Sequence, residues 1–339
     1  MLRLFNLITM FRPRFDWIQV EPTTYCNASC LYCPHTVYGD AWVNRHMSMG
    51  TFERLQPILK RTGLVFLQGW GEPLLSPHFF QMAAVAKASG CAVGASTNGT
   101  LLDIDVAKQL IKQGFDIIAF SLAGTTERND LRRKGTKLHD VLARIEMLDK
   151  TKTEYKSDYP AIHVAYLLLR QGLDEIHKLP EILKNRGIKQ VVISTLDFVP
   201  SDELKSQCLR PSTLSEFEEL QGMLDGIVSA GAKYGIEIVY YLQSPSERRT
   251  WCTENIHHAF FVSARGDVSP CVFTNLPVRA GSYYVKGRKE EYQRTVFGNV
   301  NEETVNSIWR KKEYRAFRDS MYTINSPAPC VECPKLYVV

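Results

Sequence analysis

The sequence predicts an α/β protein: an open, partial (β/α)6 TIM-like barrel followed by a small, cysteine-bearing C-terminal domain. Three observations predict it. Short apolar or β-branched runs alternate with longer amphipathic segments six times between residues 17 and 234, the rhythm of a parallel sheet with crossover helices. That rhythm stops near Ser244, where cysteine returns at positions 252, 271, 330 and 333. Six repeats fit an open barrel better than the closed eightfold one. The expected divisions are an N-terminal arm over 1–16, the barrel over 17–243 and the small domain over 244–339.

Strands are expected at 17–21, 64–68, 92–96, 116–121, 162–169 and 189–195, with helices at 49–61, 77–89, 104–113, 138–149 and 175–186. Gly90, Gly114 and Gly187 closely follow three of these helices, as C-terminal glycines do. Thr213 and Glu216 form a TxxE signal that opens a sixth helix running toward Tyr234.

The chain has 339 residues, of which 45% are hydrophobic, enough for a barrel-sized core and a smaller module. Its net charge of +5 comes from cations scattered among carboxylates, a pattern that does not indicate nucleic acid. Nine cysteines without a signal peptide point to metal chemistry in a reducing cytoplasm rather than a disulfide framework. No run reaches the roughly 18 apolar residues of a membrane span. Residues 1–10 are apolar but interrupted by Arg3 and Asn6, and read as a cap or arm.

Just past the first strand, Cys26, Cys30 and Cys33 form a CxxxCxxC array on one tight loop. Four thiolates would close a structural site, whereas three leave a cubane iron with an open position. A zinc knuckle with a fourth ligand from elsewhere, or a free-thiol cluster, are the competing readings. The loop resembles that of the radical S-adenosylmethionine (SAM) enzymes, which carry an aromatic before the third cysteine, here Tyr32. The resemblance implies a [4Fe-4S] cluster on these three cysteines, with the SAM amino and carboxylate groups on the fourth iron. It also implies an electron donor such as flavodoxin or ferredoxin, and a 5′-deoxyadenosyl radical that abstracts a substrate hydrogen.

The remaining motifs each follow a strand, so all should meet at the carboxyl ends where parallel α/β folds place their sites. After the second strand, the run from Gln68 to Pro73 resembles the family's Gly-Gly-Glu-Pro motif, which implies that Gly71 and Glu72 meet the SAM ammonium; Trp70 departs from it. After the third, Ser96 and Asn98 lie on a polar turn. That turn reads equally as capping chemistry, while the resemblance sets it along the SAM ribose and carboxylate. After the fourth, Ser121-Leu122-Ala123-Gly124 resembles a Ser-Leu-Asp-Gly motif, with Ala123 in the aspartate position. Downstream, Arg132 or Arg133 would pair with the SAM carboxylate; a solvated basic loop is the alternative.

The C-terminal region, with Cys252, Gly266, Cys271, the Phe297-Gly298-Asn299 run and the closing Cys330 and Cys333, resembles a SPASM domain. The later cysteines of a two-cluster SPASM domain are missing, and residues 276–295 look like an insertion. Four cysteines suit one fully ligated cubane or one tetrahedral zinc; attachment to the catalytic module favours a second, auxiliary [4Fe-4S] cluster. Cys91 and Cys208 are assigned no role.

The expected activity is reductive SAM cleavage followed by oxidative modification of a peptide, a protein or a small metabolite. About fifteen residues precede the first strand, too few for a fused leader-peptide-binding domain, which keeps a small metabolite in view. The alternatives are radical SAM methylation or redox-neutral carbon-skeleton chemistry, and a non-catalytic zinc-binding adaptor. Asp197, Tyr166 and His35 are candidate acid–base groups near the mouth, each equally readable as structural.

Overall fold

Strands β1 (Phe15–Val20), β2 (Thr62–Leu67), β3 (Ala92–Thr97), β4 (Ile117–Leu122), β5 (Ala161–Leu168) and β6 (Ile188–Thr195) are hydrogen-bonded neighbours in that order. Every pair is parallel. They are the six strands expected from the alternation, displaced by no more than two residues at any end. The computed structural model describes residues 15–245, 248–323 and 326–337, so the expected arm over 1–16 lies almost wholly outside the described residues.

Helices Phe79–Ala88, Ile104–Lys112 and Leu138–Glu154 stand where the periodicity predicts. Two others are broken. The 49–61 segment is two short helices, Met49–Glu53 and Gln56–Leu59, with Pro57 in the first turn of the second. Residues 175–186 make a 3-10 turn, Ile176–Lys178, and then Leu179–Leu183 with Pro180 in its first turn. Proline offers no N–H to a preceding turn, so each helix restarts there. The last barrel helix, Leu214–Ala232, begins at Thr213, whose hydroxyl accepts from the Glu216 N–H. The Glu216 carboxylate reaches back to the Ser212 N–H, one residue earlier than a regular capping box.

The sheet continues past the six strands on both sides. Strand β7 (Glu237–Tyr240) runs parallel to β6, and β8 (Ala259–Val262) runs parallel to β1 at the opposite edge. Strands β9 (Asp267–Ser269) and β10 (Gly298–Asn299) then add antiparallel, giving ten strands in one sheet. The C-terminal region therefore grows from the barrel's own sheet. Phe15 seals the joint, edge-on to Phe260 and Trp309 at 5.0 Å each.

Residues 276–295 carry a hairpin, Ser282–Val285 with Arg288–Glu291. It is tied to the segment after the three-cysteine loop, where Val43 N donates to Pro277 O and Tyr38 Oη to Ser282 O. It is also tied to the end of β6, where Tyr284 N donates to Val199 O. Trp42, Phe198, Leu276 and Val278 form a small buried core there, with Trp70, Phe273, Tyr283 and Tyr292 packed on it.

Candidate functional site

The loop that leaves β1 is held on all sides. Thr24 exchanges hydrogen bonds with Arg45, its Oγ1 accepting from Arg45 N at 2.7 Å and its N–H donating to Arg45 O at 2.9 Å. Glu72 N donates to Tyr25 O, and a two-residue bridge pairs Cys30 with Arg133. Cys33 then caps the helix Pro34–Tyr38. The three thiols lie within electrostatic reach of one another. Burial raises Cys26 and pushes Cys33 up to about 12, while the Arg133 charge works the other way on both. Thiols whose ionisation is opposed in this way become thiolates only with a cationic centre to bind.

Arg132 and Arg133, indistinguishable in the sequence, have different surroundings. Arg132 turns away from the loop: its Nη1 meets Glu175 Oε1 at 2.6 Å and Ala123 O at 2.7 Å, and its Nη2 donates to Gln171 O. With three protein acceptors, it clamps the β4 loop to residues 171–175. Arg133 lies at the cysteines, its Nη1 donating to Tyr32 Oη at 2.6 Å and its buried Nε without a hydrogen-bond partner. Burial opposes its charge, but Tyr32, Cys30 and Cys26 hold it protonated. Neither arginine belongs to a solvated loop, since both are buried.

Glu72 is buried beneath the loop. Its Oε1 accepts from Thr97 Oγ1 at 2.8 Å and its Oε2 from Asn98 N at 2.6 Å. Burial raises its pKa against these hydrogen bonds. The glycines around it serve the chain itself: a Cβ on Gly71 would stand 2.4 Å from Thr23 O and 2.5 Å from Tyr25 O, and one on Gly69 would strike the Glu21 side chain. Asn98 spends its side chain on the fold, its Nδ2 donating to Asn27 Oδ1 inside the cysteine loop and its Oδ1 accepting from Thr100. Ser96 is buried on β3 opposite Ala119, and Ser121 is half-buried on β4 opposite Ala165.

The four C-terminal cysteines gather around a cavity of about 490 Å³. Cys252 feels Cys333 and Cys271, and Cys330 feels both of these as well. Burial pushes Cys271 up to about 12 and Cys333 up to about 11. Asp197 belongs to this second site, where Lys335 Nζ stands 3.0 Å from its Oδ2 and 3.4 Å from Glu254 Oε1. Burial works against the Lys335 charge, but the two carboxylates outweigh it and keep the ammonium ionised. An ion-paired Asp197 is no free base. Among the described residues, no group of three or more His, Cys, Asp or Glu side chains converges as a single metal ion requires.

Of the other acid–base candidates, Tyr166 Oη is buried without a hydrogen-bond partner, and burial raises it well above an ordinary phenol. His35 packs edge-on to Trp42 with its Nδ1 buried and unpartnered, and burial lowers it. Sequence reasoning overlooked Glu21, Glu175 and Lys335. Glu21 is 1% exposed, accepts from Trp70 N and Ala264 N, and is raised by burial to about 7. A carboxylate closing an apolar strand was the signal available for it. Cys91 and Cys208 are buried, the Cys91 thiol donating to Leu59 O.

Comparison with known proteins gives two family matches, the radical SAM superfamily over residues 20–200 and the SPASM iron-sulfur cluster-binding domain over residues 252–334. The tungsten-containing aldehyde ferredoxin oxidoreductase cofactor-modifying protein of Pyrococcus furiosus is 26% identical over 332 residues, covering 94% of this chain and 86% of that protein. The AdoMet-dependent heme synthase of Methanosarcina barkeri is 25% identical over 321 residues, covering 88% and 83%. The structure of anSMEcpe with bound AdoMet and Cp18Cys peptide superposes with a TM-score of 0.64 at 19% identity, covering 95% of this chain and 87% of that one. The two matched domains imply SAM and [4Fe-4S] clusters, one of them auxiliary, and the groups of three and four free thiols suit such clusters.

Proposed function

Because this chain belongs to the radical SAM superfamily, we propose that it oxidises a small cofactor-type molecule by hydrogen abstraction. When bound at the three-cysteine loop, SAM and the reduced cluster supply the 5′-deoxyadenosyl radical. Cys26, Cys30 and Cys33 would hold that cluster, and three thiolates would leave one iron open to SAM. Arg133, pinned at the loop by Cys30 and charged despite burial, faces the SAM carboxylate. Glu72 receives the ammonium while anchoring the Thr97–Asn98 turn. Ser96 and Ser121 would line the ribose side, Asn98 would shape it through its bonds to Asn27 and Thr100, and Tyr32 fixes Arg133.

Cys252, Cys271, Cys330 and Cys333 hold the auxiliary cluster. A cluster ligated by all four thiolates would leave no iron open to substrate, and the chemistry it would supply is electron transfer. The product is then two electrons more oxidised than the substrate, with one deoxyadenosine formed per turnover. Lys335, between Asp197 and Glu254, tempers the negative charge beside that cluster. A flavodoxin or ferredoxin supplies the reducing electron. A small cofactor-type substrate is favoured over a peptide because the relatives that match in sequence across most of the chain are named for cofactor modification and heme synthesis, whereas the peptide-bound neighbour shares the fold.

The observation that carries this reading is the convergence of three thiols with buried Arg133 and buried Glu72 at one loop. Protein prepared without oxygen should be brown, hold about eight irons per chain and form 5′-deoxyadenosine from SAM. Replacing Cys26, Cys30 and Cys33 together with alanine should abolish cleavage and leave about four irons. Colourless zinc protein, or cleavage that survives the triple substitution, would overturn the assignment.

A further inference from the structure

Beside the carboxyl ends of β1 and β8, two adjoining cavities of about 500 and 160 Å³ share a lining of Arg265, Asp267, Arg279 and Arg294. Arg45 completes the smaller one, with Glu21 on its wall. Four arginines thus line the smaller cavity, and three of them the larger. Among the described residues their ion pairing is sparse: Arg294 stands 3.7 Å from Asp267 Oδ2, and the other three make no salt bridge. The Asp267 Oδ1 is taken by Asn299 Nδ2. Glu21, raised by burial to about 7, carries only part of a charge at neutral pH.

Each arginine stands on backbone that a different segment fixes. Arg45 N and O are both bonded to Thr24. Arg265 O accepts from Asn299 Nδ2 and Asn301 Nδ2. Arg279 N donates to Ala41 O, and Thr295 N, next to Arg294, donates to Thr274 O. Three fork-shaped donors without a salt bridge, and Arg294 beside Asp267, stand on hydrogen-bonded backbone around these cavities and make a cationic groove suited to an anion.

We propose that this groove binds a small polyanion through its phosphate or carboxylate groups. The anion is either the acidic end of the substrate or a separate ligand; the chemistry of recognition is shared. Arg294 also lines the auxiliary-cluster cavity, so an anion held here sits against the wall of the second site.

Inorganic pyrophosphate is the probe. Titrated calorimetrically into the cluster-loaded enzyme with SAM saturating, which removes the SAM site from the measurement, it should bind with a stoichiometry of one. Raising the salt should weaken it. The double variant Arg265→Glu/Arg279→Glu should lose at least about 100-fold in affinity, and the charge-keeping Arg265→Lys a smaller factor, with melting midpoints unchanged because these side chains are exposed. Pyrophosphate that binds and alters the rate of deoxyadenosine formation marks the substrate's anchor. Binding with that rate unchanged marks a separate ligand. No binding to the wild-type enzyme, or equal affinity in the double variant, would overturn the proposal.

Discussion

Exchanging the two adjacent arginines for glutamine, one at a time, should damage different properties. Arg132→Gln removes one partner of an ion pair whose side chains are 8% and 4% exposed, and stranding a buried charge costs about 3 kcal/mol or more. The lower end applies, since Glu175 Oε2 keeps its hydrogen bond from Thr126 Oγ1 at 2.6 Å. At about 2 °C per kcal/mol for a large domain, the melting midpoint should fall by roughly 6 °C. SAM affinity of the folded protein should stay put. Arg133→Gln removes the charge beside Cys26 and Cys30. Loss of a charge-assisted hydrogen bond of about 1.5–3 kcal/mol raises the SAM dissociation constant roughly 10- to 150-fold, with a small change in midpoint. Anaerobic scanning calorimetry and equilibrium SAM binding on both variants make the comparison. The reasoning fails if Arg132→Gln weakens SAM binding in fully folded protein, or if Arg133→Gln leaves it unchanged.

Three further outcomes follow from the geometry. Gly71→Ala drives a Cβ into the Thr23 and Tyr25 carbonyls, so iron content should fall toward about four per chain with deoxyadenosine formation lost; full iron and activity would refute the close-approach argument. Cys271→Ala should also lose about four irons yet still cleave SAM, and a folded variant that fails to cleave would show that the two clusters are not separable. Glu21 has a folded pKa of about 7 against an ordinary 4.5, so the native state binds more protons than the unfolded one across that window. Stability from this group is therefore full below pH 4.5 and is lost as pH rises through 7, by on the order of 3 kcal/mol. Denaturation at pH 5 and pH 8 should show this loss in the wild type and not in Glu21→Gln; equal slopes would remove the assignment.

The six barrel strands were legible because each is an apolar run long enough to bury and is followed within a turn by polar loop chemistry. Strands β7 and β8 escaped because each has four residues, too few for a period to register, and β8 pairs with β1 from more than 200 positions away. Prolines 57 and 180 were visible, but whether a proline kinks a helix or restarts it depends on how the flanking turns pack. The cysteine groups were legible since spacing alone brings ligands onto one loop. The orientation of neighbours was not. Arg132 and Arg133 separate only when the Cys30–Arg133 bridge is formed, and the Asp197 ion pair forms only when Lys335 returns from the chain's far end. Gly71 looked like a place for ligand because the Thr23 and Tyr25 carbonyls that fill the space come from another segment.

The parallel pairing of β8 with β1 bears on how this enzyme can be cut and recombined. Residues 259–262 cover what would otherwise be the open flank of the first barrel strand, four consecutive registers from Trp17 to Val20. A fragment ending near residue 243 would present that flank, apolar and unpaired, to every other copy in solution, the template for edge-to-edge aggregation. The auxiliary module is thus a selvedge on the catalytic sheet. Grafts between relatives should place their junction after β8, so that the strand guarding the first cysteine loop travels with the barrel it protects.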